Sequence, residues 1–190
     1  MITNIYLTIV ILVVLMFLDY YLTRKGFELY KKKYYKVIAS ESYELNPRFK
    51  DSISKKKYSF VHLVGVICIC LLVYFIHYFS FTGLLGFKQW TFFIVQGMLF
   101  SMLILVNSSH IQNILIFGYF NRNHSTITGR IKQKTIFSLE AGIAHKLAEF
   151  IVFFSVFLLN PSYFLFGFSL GPLALLLKLR RWKKKLKKLK

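Results

Sequence analysis

Long apolar runs alternate with short basic ones along the whole chain. From Asn4 to Leu22 nearly every residue is apolar until Asp19, and the run then meets Arg24-Lys25. Further apolar runs cover about 60–79, 90–110, 139–159 and 162–177. A helix of about 20 apolar residues crosses the hydrocarbon core of a bilayer, so each run predicts a transmembrane helix, the last two at the short end of the range. The expected fold class is therefore an all-α polytopic membrane helix bundle, with five spans forming one transmembrane domain over 1–177. The alternative for the last two runs is a single kinked or re-entrant element, which would move the C-terminus to the other side. The first run has no basic stretch ahead of it and no small-residue cleavage site behind it, which favours a retained helix over a removed signal peptide.

The connections carry their own signals. Phe27, Tyr30, Tyr34, Val37 and Ile38 recur at helical spacing opposite Lys31, Lys32, Lys33 and Lys36, predicting a short helix on the membrane surface. Pro47 disfavours the α-conformation at Asn46, so the segment Glu41 to Pro47 ends it. Trp90 is placed as an interfacial anchor, and the helical period of the third run persists to Phe120 through Ile111, Ile114, Leu115 and Tyr119. Asn160-Pro161 reads as a turn, and Gly167, Gly171 and Pro172 in the fifth run allow close helix approach or a kink.

Charge fixes the direction of threading. The chain of 190 residues is 56% hydrophobic yet carries a formal charge of +19, a combination that soluble domains rarely show. With five spans, segments 23–58 and 121–138 and the tail after Leu177 share one side and hold eleven, four and nine basic residues, against Lys88 alone on the other. The positive-inside rule then gives an N-out, C-in protein. Cys68 and Cys70 lie about 200° apart on a helix and cannot pair with each other. The chain has no zinc-type spacing, phosphate-binding glycine loop or nucleophile elbow, so no cofactor is specified.

The candidate chemistry is a set of polar residues at membrane depth, where each unpaired polar group is costly. Gln96, Asn107 and His110 fall within roughly 60° of one another on a helix. His145 and Glu149 share a face four residues apart, as do Asp19 and Thr23. With N-out threading, Asp19, His62, Asn107, His110, His145 and Glu149 all fall in the cytoplasmic half. A pocket there, with Asp19, Gln96, Asn107, His110, His145 and Glu149 as its polar set and Glu41, Glu44 and Asn46 as a lid, would suit solute or ion transport, or a metal that activates water. Hydrogen bonding between helices, with Lys146 reaching Glu149 or Asp19, is the commoner use of such residues and is favoured by about two to one. The sequons at Asn107 and Asn123 fall in a span or on the inner side and carry little weight for glycosylation.

The tail from Lys178 to Lys190 places Leu179, Trp182, Leu186 and Leu189 on a helical period among nine basic residues. It reads as a basic amphipathic helix on anionic phospholipid head groups, through Lys178, Arg180, Arg181, Trp182, Lys183, Lys184 and Lys185. Nucleic acid or a ribosome fits the same charge less well.

Four segments carry a resemblance. Glu44-Leu-Asn-Pro47, His110-Ile-Gln-Asn-Ile-Leu-Ile-Phe117, Gly129-Arg-Ile and Phe164-Leu-Phe-Gly-Phe-Ser-Leu-Gly171 resemble a family of small prokaryotic multi-pass membrane proteins without an assigned activity. The resemblance implies the same architecture in a prokaryotic plasma membrane. Where that family would place an arginine after the Phe117 position, this chain has Gly118, so no phosphate or carboxylate role follows there. The layout is also similar to that of YidC-type insertases, which place an arginine in their membrane groove. Here the first span offers Asp19 instead, and the first loop is short for their helical hairpin. Insertase-like biogenesis or another non-enzymatic interaction through the basic surface is the alternative to transport or catalysis.

Overall fold

The computed structural model describes residues 3–34, 36, 38–40, 60–123, 131–133 and 135–188. Five long helices dominate: α1 (Ile5–Leu29), α2 (Phe60–Thr82), α3 (Gln89–Arg122), α4 (Thr135–Leu159) and α5 (Tyr163–Lys188). All five are long and apolar enough to cross a membrane. Two three-residue strands, β1 (Ile38–Ser40) and β2 (Ile131–Gln133), pair in parallel with Ile38 opposite Ile131. They tie the segment after α1 to the segment before α4. The last two apolar runs are separate helices, as the five-span reading requires.

Helix α1 begins where Asn4 caps it, its side chain accepting from the Leu7 N–H at 3.2 Å. No breaker follows Asp19, and the helix continues to Leu29 before passing into a π-helical turn over Tyr30–Tyr34. The first residues of the expected surface helix, Phe27 to Tyr34, thus continue α1 rather than start a new helix. The cause is tertiary: α3 overruns the bilayer length at the same end. Tyr30 and Tyr34 pack on Phe117 at ring distances of 5.8 and 4.4 Å, and Tyr34 packs on Phe120 at 5.1 Å.

The core lies among α1, α2 and α3, where Leu12, Val73, Phe92, Phe93 and Phe100 are buried together. Helix α5 then packs on α3, and α4 packs on α5. The α3–α5 contact is the most extensive, and small residues explain why. A Cβ placed on Gly97 would meet the Phe164 carbonyl oxygen, one on Gly167 the Ile94 carbonyl oxygen, and one on Gly171 the Ser101 Oγ. Gly97 and Ser101 on α3 thus face Gly167 and Gly171 on α5, each pair four residues apart, so the two backbones touch.

Ser162 caps α5 by accepting the Leu165 N–H at 3.1 Å, which closes the turn at Asn160-Pro161. Pro172 is buried inside α5, leaving the Phe168 carbonyl without its usual intrahelical donor, yet the helix continues. It also runs unbroken through Leu177 into the basic segment as far as Lys188. The basic residues after Leu177 thus continue the α5 helix without a break.

Candidate functional site

Helices α1 and α3 run in the same direction, and polar side chains mark their contact line along its whole length. Gln96 Nε2 donates to Thr8 Oγ1 at 2.8 Å, and both side chains are fully buried. Asn107 Nδ2 donates to the Leu15 carbonyl at 3.0 Å and to the Leu103 carbonyl at 2.8 Å. Asn121 Nδ2 donates to the Leu29 carbonyl at 2.8 Å. Three amides of one helix thus hold the other by side chain or backbone. From Gln96 to Asn121 the seam is about 37 Å long at helical rise.

His110 occupies the richest position on that seam. Its Nε2 lies 3.0 Å from Asp19 Oδ1 and 3.1 Å from Thr23 Oγ1. The Thr23 hydroxyl donates to the Asp19 carbonyl at 2.8 Å, so its oxygen accepts from the ring and the ring proton sits on Nε2. The same ring's Nδ1 is buried without a hydrogen-bond partner, as is the Oδ1 of Asn107 one turn earlier. Both are acceptors in this arrangement.

The second polar group sits elsewhere. On α4, Lys146 Nζ approaches Glu149 Oε2 at 2.8 Å and Oε1 at 3.0 Å, while His145 Nε2 lies 3.0 Å from Glu149 Oε1. Glu149 is ten residues from the end of α4 at Leu159, about 15 Å at helical rise and so near the middle of a bilayer about 30 Å thick. The expected pairing of His145 with Glu149, and the reach of Lys146 to Glu149, are both present. Lys146 and Glu149 are on the buried side of α4, which packs on α5, and His145 is half exposed at its margin, whereas Asp19, Asn107 and His110 lie between α1 and α3. Among the described residues no cluster of three or more His, Cys, Asp or Glu side chains could hold a metal ion. The polar set falls into two local groups.

Two further histidines of α2, the candidate His62 and also His77, take packing roles. His62 stacks near Tyr20 at 5.0 Å and Phe17 at 6.1 Å, and His77 sits 4.4 Å from Phe81 and 4.9 Å from Phe92 between ring centroids. Asn107 is buried and committed to α1. Glu41, Glu44 and Asn46 lie outside the described residues. Sequence reasoning passed over Thr8, Gly97, Ser101 and Asn121. Gly97 and Ser101 were visible as small residues four apart, but Thr8 and Asn121 gain their roles only from the neighbour they meet.

The basic end has its own geometry. Helix α1 with its π turn, α3 and α5 are about 45, 51 and 39 Å long at helical rise, against a hydrocarbon core of about 30 Å. All three carry their basic residues at the same end. There Lys25, Lys31, Lys32, Lys36, Arg122, Lys178, Arg180, Arg181, Lys184 and Lys185 are exposed. Lys183 is tied to Glu140 of α4 at 2.7 Å, and Lys178 lies over the Trp182 ring at 5.0 Å. Burial, with a smaller push from Tyr30, raises the Tyr34 phenol above its ordinary 10.0. Comparison of the chain with family models, curated proteins and solved structures finds no match, so the function is read from this geometry alone.

Proposed function

We propose that the protein is a non-enzymatic interaction factor, inserted N-out and C-in, that engages anionic phospholipid head groups through its basic end. One observation carries this reading: three same-direction helices longer than a bilayer core present exposed cations at one end, while Asp19 is engaged by His110 and Glu149 by His145 and Lys146. The Tyr30, Tyr34, Phe117 and Phe120 cluster holds two of those helices together. Each basic side chain near an anionic surface contributes about 1 kcal/mol, so the array binds strongly only as a set.

The test uses the full chain in neutral-lipid nanodiscs and vesicles containing anionic lipid. Replacing Lys178, Arg180, Arg181, Lys184 and Lys185 with Gln is expected to weaken vesicle binding by at least about tenfold at 0.1 M salt. Unchanged binding contradicts the reading. Preferential binding of RNA over anionic vesicles also contradicts it and assigns the surface to nucleic acid.

A second reading, transport of a proton or small cation past Asp19 and His110, is favoured by the buried unpartnered Nδ1 of His110 and Oδ1 of Asn107. Proteoliposomes under a pH gradient decide it. A flux lost in Asp19→Asn supports transport, and no flux in the wild type removes it.

A further inference from the structure

Helix α4 is the outlying member of the bundle. It packs on α5, and its packing against the other described helices is slight, so half of its circumference is left to the bilayer. Ala141, Ala144, Ala148, Ile151, Ser155 and Leu158 are all exposed along that half. Their spacing alternates three and four residues, the repeat that keeps one seam facing a partner in a left-handed helix pair. A face meant only for lipid has no need of small residues, whereas a helix contact uses them to bring backbones together. Ser155 satisfies its hydroxyl within the helix, on the Ile151 carbonyl at 2.9 Å, so it does not oppose close approach.

Charge chooses the occupant. Beside the seam stand Glu140 and His145, five residues apart and flanking it on opposite sides. In two parallel helices meeting through such a seam, these are the flanking positions that reach each other across the contact. The imidazole of His145 is 54% exposed, about 21 Å along the helix from Leu159, a costly place for a polar ring in lipid. Its Nε2 is engaged by Glu149, and its Nδ1 points to the remaining side of the ring. Glu140 is 51% exposed while holding Lys183, so one carboxylate can serve both groups. A helix carrying both halves of this pair complements a copy of itself.

We propose that a second copy of this chain packs on α4, parallel and related by a two-fold axis along the membrane normal, with His145 of each copy facing Glu140 of the other. A two-fold interface uses one patch twice, which the paired flanking positions satisfy without any further surface. The inference is independent of what the basic end binds.

The experiment is disulfide scanning of the full chain in lipid, with Cys68 and Cys70 replaced by Ala and one cysteine placed along α4 at a time. Cross-linked dimers are expected at Ala141, Ala144, Ala148, Ile151 and Ser155, and not at Gly142 or Phe153, which face Leu179 and Phe168 of α5. Energy transfer between labelled copies should fall as the lipid-to-protein ratio rises. The pair Ala144→Leu and Ala148→Leu is expected to weaken association by about tenfold with the thermal unfolding of the single chain unchanged, because both positions are exposed. Absence of cross-links at every seam position, or cross-links without the three-four spacing, overturns the proposal. So does energy transfer that does not respond to the paired leucine substitutions.

Discussion

At the scale of single residues, the ion pair of Lys146 and Glu149 is the most exacting feature. Their side chains are 9% and 15% exposed, so each charge depends on the other. Removing one partner strands a buried charge at a cost of about 3–5 kcal/mol, whereas replacing both by apolar residues of similar volume is far less harmful. Lys146→Met and Glu149→Gln are therefore each expected to lower stability by that order in denaturant unfolding of the detergent-solubilised protein. The double variant Lys146→Met, Glu149→Leu should recover most of the loss. Tyr34 gives a pH-dependent counterpart. A phenol whose folded pKa is raised contributes stability that is fully present below about pH 10 and lost as pH rises through the folded value. The protection of the Tyr30 to Tyr34 amides, taken relative to their base-catalysed intrinsic exchange, should fall in that alkaline window, and Tyr34→Phe should remove that fall. The pairing of His145 with Glu149 was legible in the sequence, because residues four apart on one helix must meet. The meeting of Asp19 and Thr23 with His110 was legible only as two separate stripes. Periodicity tells which face is polar, and it says nothing of which helix that face will find.

Between elements, the decisive contact is α3 on α5. Gly97, Gly167 and Gly171 leave no room for a side chain, since the added Cβ would strike backbone or the Ser101 hydroxyl. Gly97→Leu and Gly171→Leu should each force the helices apart and destabilise the bundle by roughly 1–3 kcal/mol or more. Gly118→Leu, at a position with nothing within 4 Å, should be nearly neutral in the same thermal unfolding measurement. Five helices, their order and the hairpin at Asn160-Pro161 followed from hydrophobic run length and turn residues. Their lengths did not. The sequence pattern suggested a separate surface helix after the first span and a separate tail after the fifth, because lysines appear where apolar runs stop. In the fold, a change from apolar to basic residues alters only what surrounds a helix, and nothing at Gly26 or Leu177 breaks the hydrogen-bond ladder. The aromatic packing of Tyr30 and Tyr34 on α3 carries α1 onward.

For the whole molecule, the described helices form a chain of contacts: α1 and α2 on α3, α3 on α5, and α5 on α4. This makes α3 the centre of the bundle and α4 its outlying member. Same-direction α1, α3 and α5 bring their extended basic ends to one side, and the two strands gather the intervening segments there. The proposed binding of anionic lipid at that end requires that it face the cytoplasm, where the anionic leaflet lies. The test is impermeant maleimide labelling of single cysteines in intact cells, with Cys68 and Cys70 replaced by Ala. Leu85→Cys, in the exposed link between α2 and α3, should be labelled from outside, and Lys184→Cys only after permeabilisation. Labelling of Lys184→Cys in intact cells would place the basic end outside and contradict the account.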